Sequence, residues 1–136
     1  MYIGIYNNYP TQDAKDGSLV SQNQQQSNAV GGLINTSETS GIVERLAIRC
    51  DEGYENDGDI TVSTQSFSNG SYVVGNGTIK LSKGNGAGAV WSDSLTFNAV
   101  SDTNVIFYLK RLPAVSAGTV YGALRVQGNI QEVVQP

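Results

Sequence analysis

Carboxylates are concentrated in one stretch, Asp51-Glu52-Gly53-Tyr54-Glu55-Asn56-Asp57-Gly58-Asp59, which holds five of them in nine residues. Carboxylate oxygens are preferred ligands of Ca²⁺, so the candidate calcium ligands are Asp51, Glu55, Asp57 and Asp59, although their order does not follow an EF-hand loop. Two such groups could also act as acid and base in glycoside cleavage. The interpretation adopted here is a solvated loop between two strands, with Asp57-Gly58 as its turn.

Other reactive groups are scarce. The chain has no histidine, which removes Ser-His-Asp and Cys-His arrangements and imidazole-based zinc sites. Cys50 is the single cysteine, and because it alternates with Leu46 and Ile48 it is interpreted as a small core residue rather than a nucleophile. The stretch Gly84-Asn85-Gly86-Ala87-Gly88 is not followed by a helix signature and predicts a turn. We therefore expect no enzymatic activity, no catalytic residue and no cofactor.

The composition favours close contact with other proteins. Charged residues make up 15% of the 136 residues and the net charge is −4, whereas ordinary domains carry roughly 25% charged residues. The surface must therefore be mostly Ser, Thr, Asn, Gln and Gly, as in secreted modules, adhesins and virion proteins. No basic run is present to neutralise phosphates, so nucleic-acid binding is not expected. No apolar run reaches the ~18 residues of a membrane span, and residues 1–6 do not resemble a signal peptide.

Alternating apolar residues predict strands from residue 42 onward. Leu46, Ile48 and Cys50 should face inward while Arg45 and Arg49 face outward. Asn76-Gly77 is a two-residue hairpin signal between two of the later strands. The segment from Asn104 to Leu109 is apolar on both faces, which predicts that it is covered on both sides. Seven or eight short strands separated by turns predict an all-β fold, an antiparallel β-sandwich.

The first 41 residues differ from the rest. Residues 1–6 alternate like a short strand, but residues 11–41 are rich in Gln, Ser, Asn and Gly without periodicity. We therefore divide the chain into an N-terminal strand with an extended arm, residues 1–41, and a sandwich domain, residues 42–136. The arm is interpreted either as disorder near a terminus or as a segment that docks on a neighbouring subunit, with residues 1–6 adding a strand there.

Three tyrosines, Tyr2, Tyr6 and Tyr9, cluster at the N-terminus. Tyrosine combines an apolar ring with a polar tip and is enriched at protein interfaces, so the three are predicted interface residues. Exposed aromatic rings also serve as sugar-binding platforms, which keeps a glycan ligand open. Trp91 lies between apolar segments and is interpreted as core.

Three segments resemble small structural proteins of phages and prophages of low-GC Gram-positive bacteria. They are residues 2–11 (YIGIYNNYPT) followed by Asp16-Gly17, residues 46–51 (LAIRCD) running into Gly53-Tyr54, and residues 102–110 (DTNVIFYLK). Residues 60–95 carry no part of the resemblance. It implies an immunoglobulin-like sandwich in the virion, as a capsid decoration subunit or as an adaptor of the tail or baseplate.

The expected function is therefore that of a bacteriophage virion structural accessory protein. It would be made in the host cytoplasm, would be found in the virion, and would pack as an oligomer against other virion proteins in many copies, without a nucleic-acid or membrane partner. The alternative is a carbohydrate-binding or host-surface adhesion module that recognises a glycan, with calcium at residues 51–59. The sequence does not separate head from tail or baseplate.

Overall fold

The computed structural model is built of β-strands. It describes residues 2–24, 27–28, 30–31, 34–36, 42–68, 71–74, 79–111, 118–120 and 123–134, and the side chains of residues 2–20, 43–65, 80–110 and 124–134. The strands are, in chain order, β1 Ile3–Asn7, β2 Ser18–Gln24, β3 Ser27–Asn28, β4 Val30–Gly31, β5 Ile34–Thr36, β6 Ile42–Cys50, β7 Tyr54–Ser68, β8 Ser71–Val74, β9 Ile79–Ser82, β10 Ser94–Phe97, β11 Val105–Arg111, β12 Gly118–Val120 and β13 Ala123–Glu132.

These strands form two main antiparallel sheets and one small one. The first sheet has the order β3-β2-β1-β6-β11-β9, and the second has the order β10-β7-β13-β4 with β8 also paired to β7. Among the described residues, β5 and β12 pair only with each other, and we call this two-stranded unit the ribbon. The prediction of an all-β sandwich is confirmed.

The core lies between the inner faces of the two main sheets. Along β1, β6, β7, β11 and β13, alternation turns every second hydrophobic side chain of the core inward, as the sequence pattern predicts. The rings of Phe97 from the second sheet and Phe107 from the first meet edge to face, with centroids 5.7 Å apart. The core residues are Ile3, Ile5, Leu46, Ile48, Cys50, Ile60, Val62, Leu81, Phe97, Val100, Phe107, Leu109, Leu124 and Val126.

The N-terminal strand belongs to the sandwich, so the division after residue 41 is wrong for this strand. β1 lies between β2 and β6, with Ile5 opposite Ile48 and Ile3 opposite Cys50. Both isoleucines are buried in the core, which the proposed docking of residues 1–6 on a neighbour's sheet would not allow. Residues 18–24 form β2 of the same sheet, while parts of the predicted arm, including residues 37–41, lie outside the described residues.

Two turn predictions are also wrong. The acidic stretch turns at residues 51–53, and Asp57-Gly58 lies within β7 at an irregularity of its pairing with β13. The strands on either side of Asn76-Gly77, β8 and β9, are in different sheets and do not form a hairpin. β8 instead pairs with β7, and the last pair is Ser68 with Ser71. A turn dipeptide indicates a change of direction but not which strand is the neighbour.

Gly128 is required by its backbone and by its surroundings. It lies at the pairing irregularity with φ +147°, and a Cβ there would collide with Cδ1 of Ile60 and come within 3.0 Å of the Asp59 carbonyl oxygen. Gly58 has φ +85° but open space around the position of a Cβ. Comparing the same substitution at the two glycines therefore distinguishes the cost of backbone strain from the cost of steric collision.

The Gly128→Ala substitution is expected to lower the free energy of unfolding by about 2–4 kcal/mol, since it adds overpacking to backbone strain. The Gly58→Ala substitution is the matched control and should cost about 1–2 kcal/mol from strain alone. Urea denaturation with an unchanged slope measures both losses. Equal losses in the two variants would mean that the contact with Ile60 is relieved without cost.

Candidate functional site

The loop of residues 8–17, here called the N-terminal loop, lies on the outer face of the first sheet. Arg45 on β6 donates from Nε to the carbonyl oxygen of Pro10 at 2.8 Å. Arg49 on the same strand donates to the carbonyl oxygen of Asp16 at 2.7 Å. The outward orientation predicted for both arginines is therefore used to hold this loop.

Asn104 lies at the centre of this hydrogen-bond network. Its side-chain Nδ2 donates to the carbonyl oxygen of Thr11 and to Asp16 Oδ1, both at 2.9 Å, and its Oδ1 accepts from Arg49 at 2.8 Å. Its backbone N–H donates to Ala14, and its carbonyl oxygen accepts from Asp13. Asn104 is 0% exposed, so both ends of a buried amide are satisfied by the loop and by β6.

Asp16 closes the loop on itself. Its carboxylate accepts the backbone N–H of Thr11 at 2.8 Å and the Thr11 hydroxyl at 2.7 Å. The backbone hydrogen bond from Thr11, followed by the one from its hydroxyl, lowers the pKa of Asp16 below its ordinary value. These bonds are made to the ionised form, so the loop is held best when Asp16 is charged.

Acid should therefore weaken the fold through Asp16. A carboxyl group whose folded pKa is depressed stabilises the protein above its unfolded pKa of about 3.9, and this contribution disappears as the pH falls through the lower folded pKa. The Asp16→Asn variant should be less stable at neutral pH and should show a flatter loss of stability below about pH 4. Thermal melting across this pH range measures both effects, and Asp57→Asn, which removes an exposed carboxylate, is the control. If the melting temperature of Asp16→Asn fell below about pH 4 as steeply as that of the unsubstituted protein, this role of Asp16 would be contradicted.

Tyr6 is an internal part of the site. It is 5% exposed, and the guanidinium carbon of Arg49 lies 3.6 Å from the centroid of its ring. Burial, together with the hydrogen bond between the Tyr6 and Tyr2 hydroxyls, raises the pKa of Tyr6. This ring therefore offers almost no surface to a partner, and its assignment as an interface residue does not agree with the structure.

Tyr9, unlike Tyr6, is strongly exposed to solvent. It is 83% exposed and has φ 55°, and Asn8 before it has φ 63°. Two successive residues with positive φ are uncommon outside glycine and are kept only where the surroundings fix them. The Asn8 side chain donates to the Ser18 hydroxyl at 2.7 Å, and the next residue, Pro10, is held by Arg45. Of the three predicted interface tyrosines, Tyr9 is the one presented to solvent, while Tyr2 is half-buried.

The four predicted calcium ligands do not meet. Glu55, Asp57 and Asp59 lie along β7, and the irregularity of its pairing with β13 falls between Asp57 and Thr61. Asp51 lies in the preceding turn. Within the part of the chain that the structure describes, no group of three or more metal-ligating side chains is found.

Cys50 is a core residue, as its alternation predicts. It is 2% exposed, and its Sγ lies 3.6 Å from the carbonyl oxygen of Val100. Burial, followed by the nearby Asp102 carboxylate, raises the pKa of the thiol to about 12. The reactive thiolate is therefore disfavoured at neutral pH.

Three segments that are distant in the sequence meet at this site. Residues 2–11 contain β1 and the start of the N-terminal loop, residues 46–51 contain the end of β6, and residues 102–110 contain Asn104 and most of β11. β1, β6 and β11 are adjacent in the first sheet. The loop also reaches the edge of β11, where the backbone N–H of Ile106 donates to Gln12 Oε1 at 3.2 Å. Ile106 and Tyr108 on the outer face of this strand remain partly exposed, so the predicted cover on both sides is incomplete.

Comparison with known proteins identifies no relative: no family model, curated protein or solved structure matches the chain. The described residues include no helix that is long and apolar enough to cross a membrane.

Proposed function

We propose that this chain is a structural, non-enzymatic subunit of a bacteriophage particle that packs in many copies against other virion proteins. The observation that carries the proposal is the N-terminal loop, which holds Tyr9 at 83% exposure on a backbone fixed by Arg45, Arg49 and Asn104. The three segments that resemble phage structural proteins build this loop and its support. Together they would hold Tyr9 in position for a partner.

A rigid, exposed tyrosine suits protein contact. Binding costs about 0.5–1.5 kcal/mol for each side chain that it immobilises and a further amount for any loop that it must order, and a loop whose backbone is already held avoids the second cost. Tyrosine is among the residues that dominate interface free energies. Tyr9 would therefore fill a pocket of the partner, while the network beneath it keeps the loop in its binding conformation.

The perturbed ionisable groups support a structural role. The pKa of Asp102 is lowered, mainly because its carboxylate accepts the backbone N–H of Gly53 at 3.0 Å, and Lys15 lies 3.6 Å away. The pKa shift of Asp16 is likewise explained by hydrogen bonds that close the loop, and those of Tyr6 and Cys50 are explained mainly by burial. Perturbed groups often mark catalytic sites, but each of these four has a partner that serves the fold.

The location in the particle is tested by immunogold electron microscopy of phage particles induced from the strain that encodes this chain. Gold on the head would identify a capsid decoration subunit, and gold on the tail or its tip would identify an adaptor of the tail or baseplate. Absence of the chain from intact particles and from mass spectra of disrupted particles would contradict the virion proposal and leave the glycan-binding alternative.

The contact itself is tested by Tyr9→Ala. We expect binding of the purified chain to particles that lack it to weaken at least tenfold, the loss of about 1.4 kcal/mol or more that a central interface residue gives. Melting temperature should not change, because the ring is exposed. Val90→Ala removes another large apolar side chain, 79% exposed, and is the matched control. Equal binding by the Tyr9 variant and the unsubstituted protein would place the contact elsewhere.

A further inference from the structure

Among the described residues, the ribbon shares no strand pairing with either main sheet. β5 and β12 pair as Thr36 with Gly118, Asn35 with Thr119 and Ile34 with Val120, and the structure assigns neither strand to another sheet. It is connected to strand ends that themselves pair, Ile42 with Arg111 in the first sheet and Gly31 with Leu124 in the second. A short two-stranded unit of this kind has little stability in water by itself.

The ribbon's strands carry none of the usual protection against pairing. Natural edge strands are blocked by charged residues, by proline or by bulges. The six residues of β5 and β12 include no charged residue and no proline, and their register is regular. In the part of the chain that the structure describes, no further strand pairs with the other edge of β5 or β12, so the backbone N–H and carbonyl groups there can accept one.

Charge makes a second copy of this chain the best occupant. Two copies can meet at the same patch only if like charges do not face one another. Residues 112–122, which contain β12, carry no charge, while residues 29–41, which contain β5, carry Glu38. The β12 edge is therefore the more self-compatible of the two, in a chain whose overall net charge is −4.

Unpaired polar atoms lie on β7 and β13 close to the ribbon's connections. Gln65 is 1% exposed and donates to Ser63, but its Oε1 has no partner, and the buried Nε of Arg125 has none either. Gln65 is opposite Ala123, and Arg125 is opposite Val30, so both lie where the chain enters and leaves the ribbon. A buried polar group usually has a hydrogen-bond partner, so these two atoms mark a place where a polar group from solvent or from another chain can bind.

We propose that two copies of this chain associate through their ribbons, with β12 of one copy pairing antiparallel to β12 of the other about a twofold axis near Thr119. Two marginal ribbons then become one four-stranded sheet. The inference deepens the proposed function, because it names a surface through which copies of the subunit would meet, but it depends on neither Tyr9 nor a phage partner.

Sedimentation velocity of the full chain over a concentration series tests this pairing. The unsubstituted protein should form a dimer by mass action. Thr119→Lys and Thr119→Glu should each raise the dimer dissociation constant at least tenfold, because like charges meet at the axis, and an equimolar mixture of the two variants should restore the dimer. Thr119→Ser keeps the hydroxyl without adding charge and should associate normally.

Thr96→Lys places the same charge at an exposed position on β10 and is the positional control. The proposal would be overturned by an unsubstituted protein that stays monomeric, by equal loss of association in Thr96→Lys and Thr119→Lys, or by a variant mixture that does not dimerise. Tyr9→Ala should dimerise normally. If Tyr9→Ala loses particle binding but the unsubstituted protein forms no ribbon dimer, this inference is rejected and the proposed function stands. If the protein forms the ribbon dimer but is absent from particles, the proposed function is rejected and this inference stands.

Discussion

Ile5→Ala should lower the free energy of unfolding by about 3–5 kcal/mol, the upper part of the range for truncating a buried aliphatic side chain to alanine. Ile5 is 0% exposed and faces the core from the strand between β2 and β6, so little can collapse into the space that it leaves. Single domains are stable by about 5–15 kcal/mol, so this single change would remove a large share of the total.

Val43→Ala is the control for Ile5→Ala. Val43 is also on a strand of the first sheet but is 40% exposed, so its truncation should cost less than about 1 kcal/mol. Chemical denaturation followed by tryptophan fluorescence measures both variants, since the chain has one tryptophan. If Ile5→Ala were as stable as Val43→Ala, β1 would not be an integral strand of the sandwich.

Asn104→Ala should cost about 3–4 kcal/mol, because it removes several hydrogen bonds of a fully buried amide, including those to Arg49 and to the Asp16 carboxylate, and bonds to charged groups are worth about 1.5–3 kcal/mol each before relaxation. Asn98→Ala, at an exposed position six residues earlier, is the control and should change stability by less than about 0.5 kcal/mol.

Proteolysis separates loop release from global unfolding in the Asn104 variant. Lys15 lies in the N-terminal loop with its side chain 50% exposed, so trypsin can cut there once the loop detaches. We expect cleavage after Lys15 under native conditions to accelerate in Asn104→Ala and not in Asn98→Ala. Cleavage that follows global stability alone would mean that Asn104 stabilises the sheet without holding the loop.

Strand identity could be predicted from the sequence, whereas strand neighbours could not. Alternation placed Leu46, Ile48 and Cys50 inward because a strand has a period of two whatever it pairs with. The same pattern in residues 1–6 predicts a strand but not that Ile5 lies opposite Ile48, which is 43 positions away in the sequence. Asn76-Gly77 has a strong local preference for a hairpin, and pairing in two different sheets overrides it.

The candidate site was only partly predictable for the same reason. Tyr9 was identified by residue type, but its separation from Tyr6 depends on the loop that covers one ring and exposes the other. The sequence predicts the start of a strand at Asn104, but nothing local indicates that its amide meets Thr11 and Asp16. The available signals were Asp16-Gly17, typical of a turn, and the outward Arg49 beside an apolar strand, but they lie 32 residues or more apart.

The pairing of β7 with β13 has a consequence for how the chain reaches its native state. β8 and β10 pair along part of β7, but Tyr54 is opposite Glu132, so the other edge of β7 finds its partner only after β13 has been synthesised. Topologies dominated by such distant contacts fold slowly, in roughly milliseconds to seconds. During translation, β7 would have one long edge unpaired, the kind of edge that recruits other chains into aggregates. Truncation before residue 123 should therefore yield insoluble protein, and efficient production should depend on keeping nascent chains apart until β13 emerges.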